Sequence, residues 1–206
     1  MRSASLALKR AFDVLFALTL LVVLAPLLLA VAVAVRLTSP GPALFRHERL
    51  GRNGVPFACL KFRSMYRGAG AVTPRDADGA TVISAGDPRV TPLGRVLRQW
   101  SVDELPQLWN VLRGEMSVVG PRPDEVLALE LYTPRQRHKL EMRPGLTGLA
   151  TVNGRNSISW PERLEWDTRY VENFSLKLDL VILWRTAGVV LRREGIYTSA
   201  SGSSGG

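Results

Sequence analysis

The sequence predicts an α+β fold in which an N-terminal membrane segment precedes a small, mainly helical domain. An apolar run at residues 14–35 has about the length that a helix needs to span a bilayer. Alternating polar and apolar residues at 57–65 predict a strand, and apolar residues at helical spacing after Ser101 predict a helix. With 206 residues, the chain has room for one domain with its own core and for short appendages.

The apolar run contains Pro26, which removes one backbone hydrogen bond and predicts a kink. Basic residues flank both ends of the run, so the positive-inside rule favours neither direction of crossing. The residues alone are compatible with a kinked spanning helix and with a hairpin that returns to the cytoplasmic face. Asp13 borders the run, and we expect it to pair with Arg10 at the interface.

The composition argues against several classes of protein. A formal net charge of +9 predicts anionic partners, and because the basic residues are dispersed between apolar segments, lipid or a phosphorylated substrate is favoured over nucleic acid. Cys59 is the only cysteine, which excludes a disulfide framework and indicates a reducing compartment. Two histidines argue against a histidine-based zinc site, and the glycine patterns of dinucleotide sites and P-loops do not occur.

The predicted strand at 57–65 is followed by a polar loop. Alternation along the strand places Lys61 and Arg63 on one face, where they could meet anionic groups. The loop is rich in Gly, Ala and Asp, and it contains Asp76 and Asp78. This D-x-D pattern also occurs in the metal sites of nucleotide-sugar glycosyltransferases, and carboxylate oxygens are suitable ligands for a hard cation.

An adjacent carboxylate pair, Asp103 and Glu104, opens the next predicted helix. Ser101 stands three residues before Glu104, as in a capping box, and Gly114 closes the helix. Pro106 prefers the first helical position, and an opening 3₁₀ turn would satisfy both signals. Acidic residues in a first turn often serve only the helix dipole. Because adjacent side chains diverge on a helix, a functional pair would divide its roles between a nucleophile and a ligand of Mg²⁺.

Three arginines are candidate phosphate ligands beside this pair. Arg98 lies near the end of a helix predicted from Pro92 to about residue 100. Arg122 stands between two prolines, which restrict the backbone around a planar guanidinium suited to phosphate. Arg155 follows an Asn-Gly pair, which predicts a tight turn.

The rest of the chain is predicted to be mainly helical. An amphipathic helix at 126–142 is expected to break at Pro134, and a helix rich in charged residues follows at 161–173. The apolar segment 176–193 is compatible with the headgroup region of a membrane and with a protein core. The tail at 198–206 has low complexity and is predicted to be disordered.

The stretch at 98–123, RQWSVDELPQLWNVLRGEMSVVGPRP, resembles the monotopic phosphoglycosyl transferases, which form the bacterial sugar transferase family. Further motifs extend the resemblance in the same order over nearly the whole chain to about residue 197. They are KRAFD at 9–13, SPGPALFRHERLGRNG at 39–54, KFRSM at 61–65, GDPRVTPLGR at 86–95, RPGLTG at 143–148 and VNGRN at 152–156.

This resemblance implies a particular arrangement at the bacterial inner membrane. Residues 1–38 would form a re-entrant helix-break-helix with Pro26 at the break, so that both ends lie on the cytoplasmic face. Residues 39–197 would form the catalytic domain on that face, with interfacial amphipathic helices against the lipid.

The resemblance also implies an activity, the transfer of sugar-1-phosphate from a UDP-sugar to polyprenyl (undecaprenyl) phosphate in the first membrane step of bacterial glycoconjugate assembly. Asp103 would attack the β-phosphorus and release UMP, leaving an aspartyl phosphosugar for the lipid phosphate to attack. Glu104, together with Asp103, would bind Mg²⁺. The expected ligands of the substrate phosphates are Lys61, Arg63, Arg98, Arg122 and Arg155.

Two other functions use different residues. A D-x-D glycosyltransferase would form a glycosidic bond directly through Asp76 and Asp78, and Asp103 would be dispensable. A non-enzymatic membrane scaffold would use the basic surface only to bind anionic lipid. The sequence does not identify the sugar, and it is compatible with an oligomer as well as a monomer.

Overall fold

The computed structural model describes residues 2–69, 82, 84 and 86–198 of the chain. Its helices are α1 (Arg2–Val23), α2 (Ala25–Thr38), α3 (Pro92–Gln99), α4 (Gln107–Arg113), α5 (Leu149–Val152), α6 (Trp160–Glu172) and α7 (Leu176–Arg192). Its strands are β1 (Leu44–Leu50), β2 (Pro56–Phe62), β3 (Ser117–Val119) and β4 (Gly145–Thr147). β1 and β2 form an antiparallel hairpin, and β3 pairs in parallel with β4. The predicted α+β class is confirmed.

The kink predicted at Pro26 separates α1 from α2. α1 ends at Val23, α2 begins at Ala25, and the two axes are bent by 64°. Pro26 lies in the first turn of α2, where the missing N–H would have no helical partner in any case. Among the described residues no single helix is long and apolar enough to cross a membrane, whereas the bent pair together is, by length and composition alone.

The first half of α1 is built into the domain that follows it. Lys9 is buried, and its ammonium lies 2.7 Å from a carboxylate oxygen of Asp179 in α7. Asp13 is also buried, and it accepts hydrogen bonds from the Ser117 hydroxyl (2.8 Å) and the Val118 N–H (2.9 Å) of β3. These contacts fix α1 against both β3 and α7.

Arg10 has a different partner from the one predicted. Its guanidinium donates to the carbonyls of Val111 (2.6 Å) and Leu112 (2.9 Å) at the end of α4. The last carbonyls of a helix have no intrahelical partner, and a cation there also complements the helix dipole. The predicted pairing of Asp13 with Arg10 is therefore wrong, because both side chains bind backbone groups that are distant in sequence.

The hydrophobic core lies where α1, α4, α6 and α7 meet the β3–β4 pair. Apolar side chains removed from water contribute about 25 cal/mol per Å² to folding, so this is the main stabilising region. Its most buried members include Ala17, Leu108, Val111, Met116, Val118, Tyr170 and Ile182.

The segment at 126–142 differs from its prediction. Instead of a broken α-helix, the structure has two 3₁₀ segments, Val126–Leu131 and Gln136–Glu141. Pro134 prevents a continuous helix, and Lys139 is drawn inward between two carboxylates, Asp124 (2.6 Å) and Asp167 (2.9 Å). The helices predicted from Pro92 and at 161–173 correspond to α3 and α6 and are confirmed, and the apolar segment 176–193 forms α7.

We predict that Asp13→Ala lowers the free energy of unfolding by about 2 to 4 kcal/mol, because it leaves a buried N–H donor and a buried ammonium with fewer partners. Chemical denaturation in detergent micelles measures this loss. The control is Glu130→Ala, which removes an exposed carboxylate and should change stability by about 0.5 kcal/mol or less. Equal losses in the two variants would contradict the anchoring role of Asp13.

Candidate active site

The carboxylate pair lies in a 3₁₀ turn between α3 and α4. Ser101 has a left-handed backbone (φ 56°), and its side chain makes no capping hydrogen bond, so the predicted capping box is wrong. The predicted opening 3₁₀ turn is confirmed at Val102–Glu104, and α4 starts directly after Pro106. Gly114, also left-handed (φ 81°), ends α4 as predicted.

The two carboxylates of the turn have different environments. Asp103 is buried, with 6 % of its surface exposed. Glu104 lies among three cations: the Lys61 ammonium at 2.9 Å, an Arg122 Nη2 at 3.7 Å and an Arg155 Nη2 at 3.7 Å. The structure thus brings together three of the predicted phosphate ligands around one carboxylate.

These environments move the two pKa values apart. Burial raises the pKa of Asp103, and the adjacent Glu104 carboxylate raises it further, while nearby cations offset part of the shift. Burial also disfavours the charged form of Glu104, but Lys61, Arg122 and Arg155 outweigh it and hold the pKa of Glu104 far below the usual range. The surroundings therefore favour the charged form of Glu104 and disfavour that of Asp103.

A cleft of about 760 Å³ opens beside the pair. Its walls include Asp103, Glu104, Lys61, Arg98, Arg122 and Arg155. The guanidinium of Arg98 is held by its Nε, which donates to the Ser64 hydroxyl at 2.9 Å. A volume of this size suits a ligand larger than a single phosphate.

Arg63 also lines the cleft, but its guanidinium is bound to the backbone. Its guanidinium donates to the backbone carbonyls of Val35 (3.0 Å), Ser39 (2.7 Å) and Pro40, at the end of α2. Because those carbonyls lack helical partners, an arginine that binds them stabilises the helix end. Arg63 thus caps the end of α2 at the edge of the cleft, and its role as a phosphate ligand stays a prediction.

Arg155 is presented by the turn that the Asn-Gly pair predicted. Gly154 (φ 134°) and Arg155 (φ 56°) both adopt positive φ, and a non-glycine residue in that region needs support from its surroundings. Its guanidinium is buried, and within the described part of the chain its Nε has no hydrogen-bond partner. A buried donor without a partner beside a cleft can bind an incoming anion.

Two residues that support Arg122 carried no sequence signal. Asp167 of α6 is buried and accepts a hydrogen bond from the Arg122 N–H at 3.1 Å. The buried ammonium of Lys139 forms ion pairs with both Asp167 and Asp124. It therefore links α6 to the segment that carries Arg122. In the sequence both occupy ordinary polar positions of predicted helices, and nothing marks them as partners.

Asp103 and Glu104 fit Mg²⁺ only if the substrate and water supply further ligands. The described residues contain no group of three or more His, Cys, Asp or Glu side chains that could hold a metal ion by themselves. Mg²⁺ is commonly bound by one or two carboxylates together with water and substrate phosphates, and Asp103 and Glu104 can provide those carboxylates. The D-x-D residues Asp76 and Asp78 lie outside the described residues.

Comparison with known proteins identifies close relatives. A family model described as bacterial sugar transferase matches residues 4–193. The chain is 44% identical over 198 residues to the exopolysaccharide production protein ExoY of Sinorhizobium fredii, covering 92% of this chain and 88% of that protein.

Two further relatives are named for a reaction. The UDP-glucose:undecaprenyl-phosphate glucose-1-phosphate transferase of Caulobacter vibrioides is 44% identical over 197 residues, which cover 92% of this chain and 72% of that protein. The undecaprenyl-phosphate galactose phosphotransferase of Salmonella typhimurium is 40% identical over 205 residues, which cover 95% of this chain but only 43% of that protein.

Proposed function

Because this chain belongs to the bacterial sugar transferase family and is a transferase, we propose that it moves sugar-1-phosphate from a UDP-sugar to undecaprenyl phosphate and releases UMP. The observation that carries the proposal is the buried Asp103 beside Glu104 and its three cations, at the wall of a cleft large enough for a nucleotide sugar. The names of the Caulobacter and Salmonella relatives support the acceptor.

In the first step, a carboxylate oxygen of Asp103 attacks the β-phosphorus of the UDP-sugar. The bond from that phosphorus to the oxygen bridging the two phosphates breaks, and UMP leaves with the electron pair. The product on the protein is an aspartyl phosphosugar. The reactive form is the ionised carboxylate, so the attack itself needs no general base.

In the second step, a phosphate oxygen of the lipid attacks the same phosphorus. The bond between phosphorus and the Asp103 oxygen breaks, and the carboxylate is restored. One nucleophile thus divides the transfer into two displacements, as in other covalent mechanisms.

The cations of the site act on charge rather than on protons. Lys61, Arg122 and Arg155 lie where they can bind the diphosphate and offset the negative charge on the leaving UMP. Glu104 attracts these cations and would hold Mg²⁺ together with the substrate. When bound, that ion would neutralise charge on the phosphates as a Lewis acid.

We propose that α1 and α2 form a re-entrant hairpin, which keeps the enzyme on the cytoplasmic face of the bacterial inner membrane. Both ends of the bent pair are held by the same domain, since Lys9 near the start of α1 binds Asp179, and Arg63 binds the carbonyls at the end of α2. Between these ends, the apolar side chains around the bend are exposed, among them Leu18, Val22, Val23, Leu27 and Leu29.

The covalent intermediate gives the direct test. Enzyme incubated with UDP-sugar and no lipid should gain the mass of a sugar phosphate on the peptide that contains Asp103. Asp103→Asn should lose the adduct and at least about 1000-fold of the turnover, because it removes the nucleophile. Substantial turnover by Asp103→Asn would rule out this mechanism.

A second prediction separates this site from the D-x-D alternative. Glu104→Gln should lose most of the activity and its dependence on added Mg²⁺, since the neutral amide binds a hard cation poorly. The double variant Asp76→Ala with Asp78→Ala should retain nearly all activity. UMP release titrated with Mg²⁺ measures both, and the reverse pattern would favour the glycosyltransferase.

A third prediction concerns pH. Asp103 must be ionised to attack, and its pKa is raised, so the activity should fall with decreasing pH at a higher pH than an ordinary aspartate gives. Lys61 lowers that pKa, so Lys61→Met should move the acid limb of kcat/KM for UDP-sugar to still higher pH. The value of kcat/KM for UDP-sugar depends only on the steps up to and including UMP release. The control is Arg46→Met, an exposed change on the opposite face of the hairpin, which should leave the limb in place.

A fourth prediction tests the hairpin. After replacement of Cys59 and introduction of a cysteine at Ser3, the parent should be protected from an impermeant thiol reagent in intact cells. Pro26→Leu restores a backbone donor and should straighten the break, producing a labelled, spanning population with lower activity. Labelling of the parent would show that it spans the membrane.

A further inference from the structure

After α7 the chain turns back into the cleft. Ile196 is 9% exposed and lines the cleft wall, although it lies beyond residue 193, where the match to the family ends. We propose that residues 193–196, which we call the C-terminal strap, position the Arg155 turn for binding of the donor phosphates. This inference rests on the proposed function.

The first contact of the strap is with the residue after Arg155. The Asn156 N–H donates to the Gly195 carbonyl at 3.1 Å, and the Asn156 side-chain amide donates to the Ile196 carbonyl at 2.9 Å. Asn156 is buried, so both hydrogen bonds are shielded from water. A group that took the place of the strap beside Asn156 would have to replace both of these hydrogen bonds.

The second contact is backbone against backbone. Gly195 has a left-handed φ of 60°, and a side-chain carbon placed there would lie 2.4 Å from the Gly154 carbonyl oxygen and 2.8 Å from Cβ of Arg155. Glycine is therefore needed both for the backbone conformation and for the close approach. The strap packs directly on the two positive-φ residues of the turn and provides the support that such a conformation needs.

The third contact reaches the other side of the site. The guanidinium of Arg193 lies 4.0 Å from the ring centre of Trp100, a cation–π distance. Trp100 follows α3, which carries Arg98, and it directly precedes the Ser101 turn before Asp103. The strap thus contacts the Arg155 turn and also the ring of Trp100, which precedes the carboxylate pair.

These contacts have a consequence for Arg155. Its Nη2 is 3.7 Å from Glu104, close enough for attraction but beyond hydrogen-bonding distance, so the carboxylate alone does not fix its orientation. The backbone of the turn must do so, and the strap holds that backbone. Loss of the strap should displace the guanidinium from the donor phosphates.

The experiment compares two matched glycine changes in the full chain. Gly195→Ala introduces the clash with the turn, whereas Gly188→Ala, within α7, meets only the flexible Arg192 side chain. We expect Gly195→Ala to lower kcat/KM for UDP-sugar about 10 to 100-fold, mainly through KM, and Gly188→Ala to leave it unchanged. A general loss of folded protein would instead lower kcat and leave KM unchanged.

A truncation pair repeats the test without a clash. A chain ending at Glu194 lacks Gly195 and Ile196, whereas a chain ending at Thr198 keeps the whole strap. We expect the shorter chain alone to bind UDP more weakly by calorimetry, with thermal midpoints of the two within about 2 °C. UDP affinity and kcat/KM equal to those of the parent in Gly195→Ala and in the shorter chain would overturn the inference. Absence of UMP release by the parent would instead contradict the proposed function, and UDP binding would still test the strap.

Discussion

The structure depends on the cost of burying two adjacent carboxylates in a single turn. Asp103 and Glu104 repel each other, and each loses hydration, so the pair is stable only when cations converge on it. Those cations come from β2, from the segment after β3 and from the turn after α5. The fold can therefore be understood as a means of bringing three distant positive charges to one point.

Each of these cations is fixed by a different backbone device. Lys61 is placed by the register of the β1–β2 hairpin, in which it lies opposite Phe45. Arg122 is placed by the hydrogen bond from its N–H to buried Asp167, and Arg155 by a turn in positive φ. Because the side chains inherit their positions from rigid backbone, the site is preorganised before any substrate arrives.

Sequence patterns predicted those features that depend on near neighbours. The break at Pro26, the start of α3 at Pro92, the end of α4 at Gly114 and the turn before Arg155 all follow from short-range backbone chemistry. Partners far along the chain were not predictable. Arg63 and Arg10 look like ligands for anions, but each binds backbone carbonyls at a helix end, and a carbonyl leaves no mark in a sequence. The prediction of a helix at 126–142 was wrong for a similar reason, because the burial of Lys139 outweighs the helical periodicity of the segment.

The burial of Lys9, Asp13 and Ala17 makes α1 a structural part of the enzyme rather than a tether attached to it. Residues 39–197 alone would expose a groove lined by β3, α4 and α7 and would leave Asp179 without its ammonium partner. During synthesis α1 leaves the ribosome before these later elements, so it is already available as a template for them. The later elements would then complete the fold by docking onto α1. Active protein would accumulate only where α1 has already reached its final position.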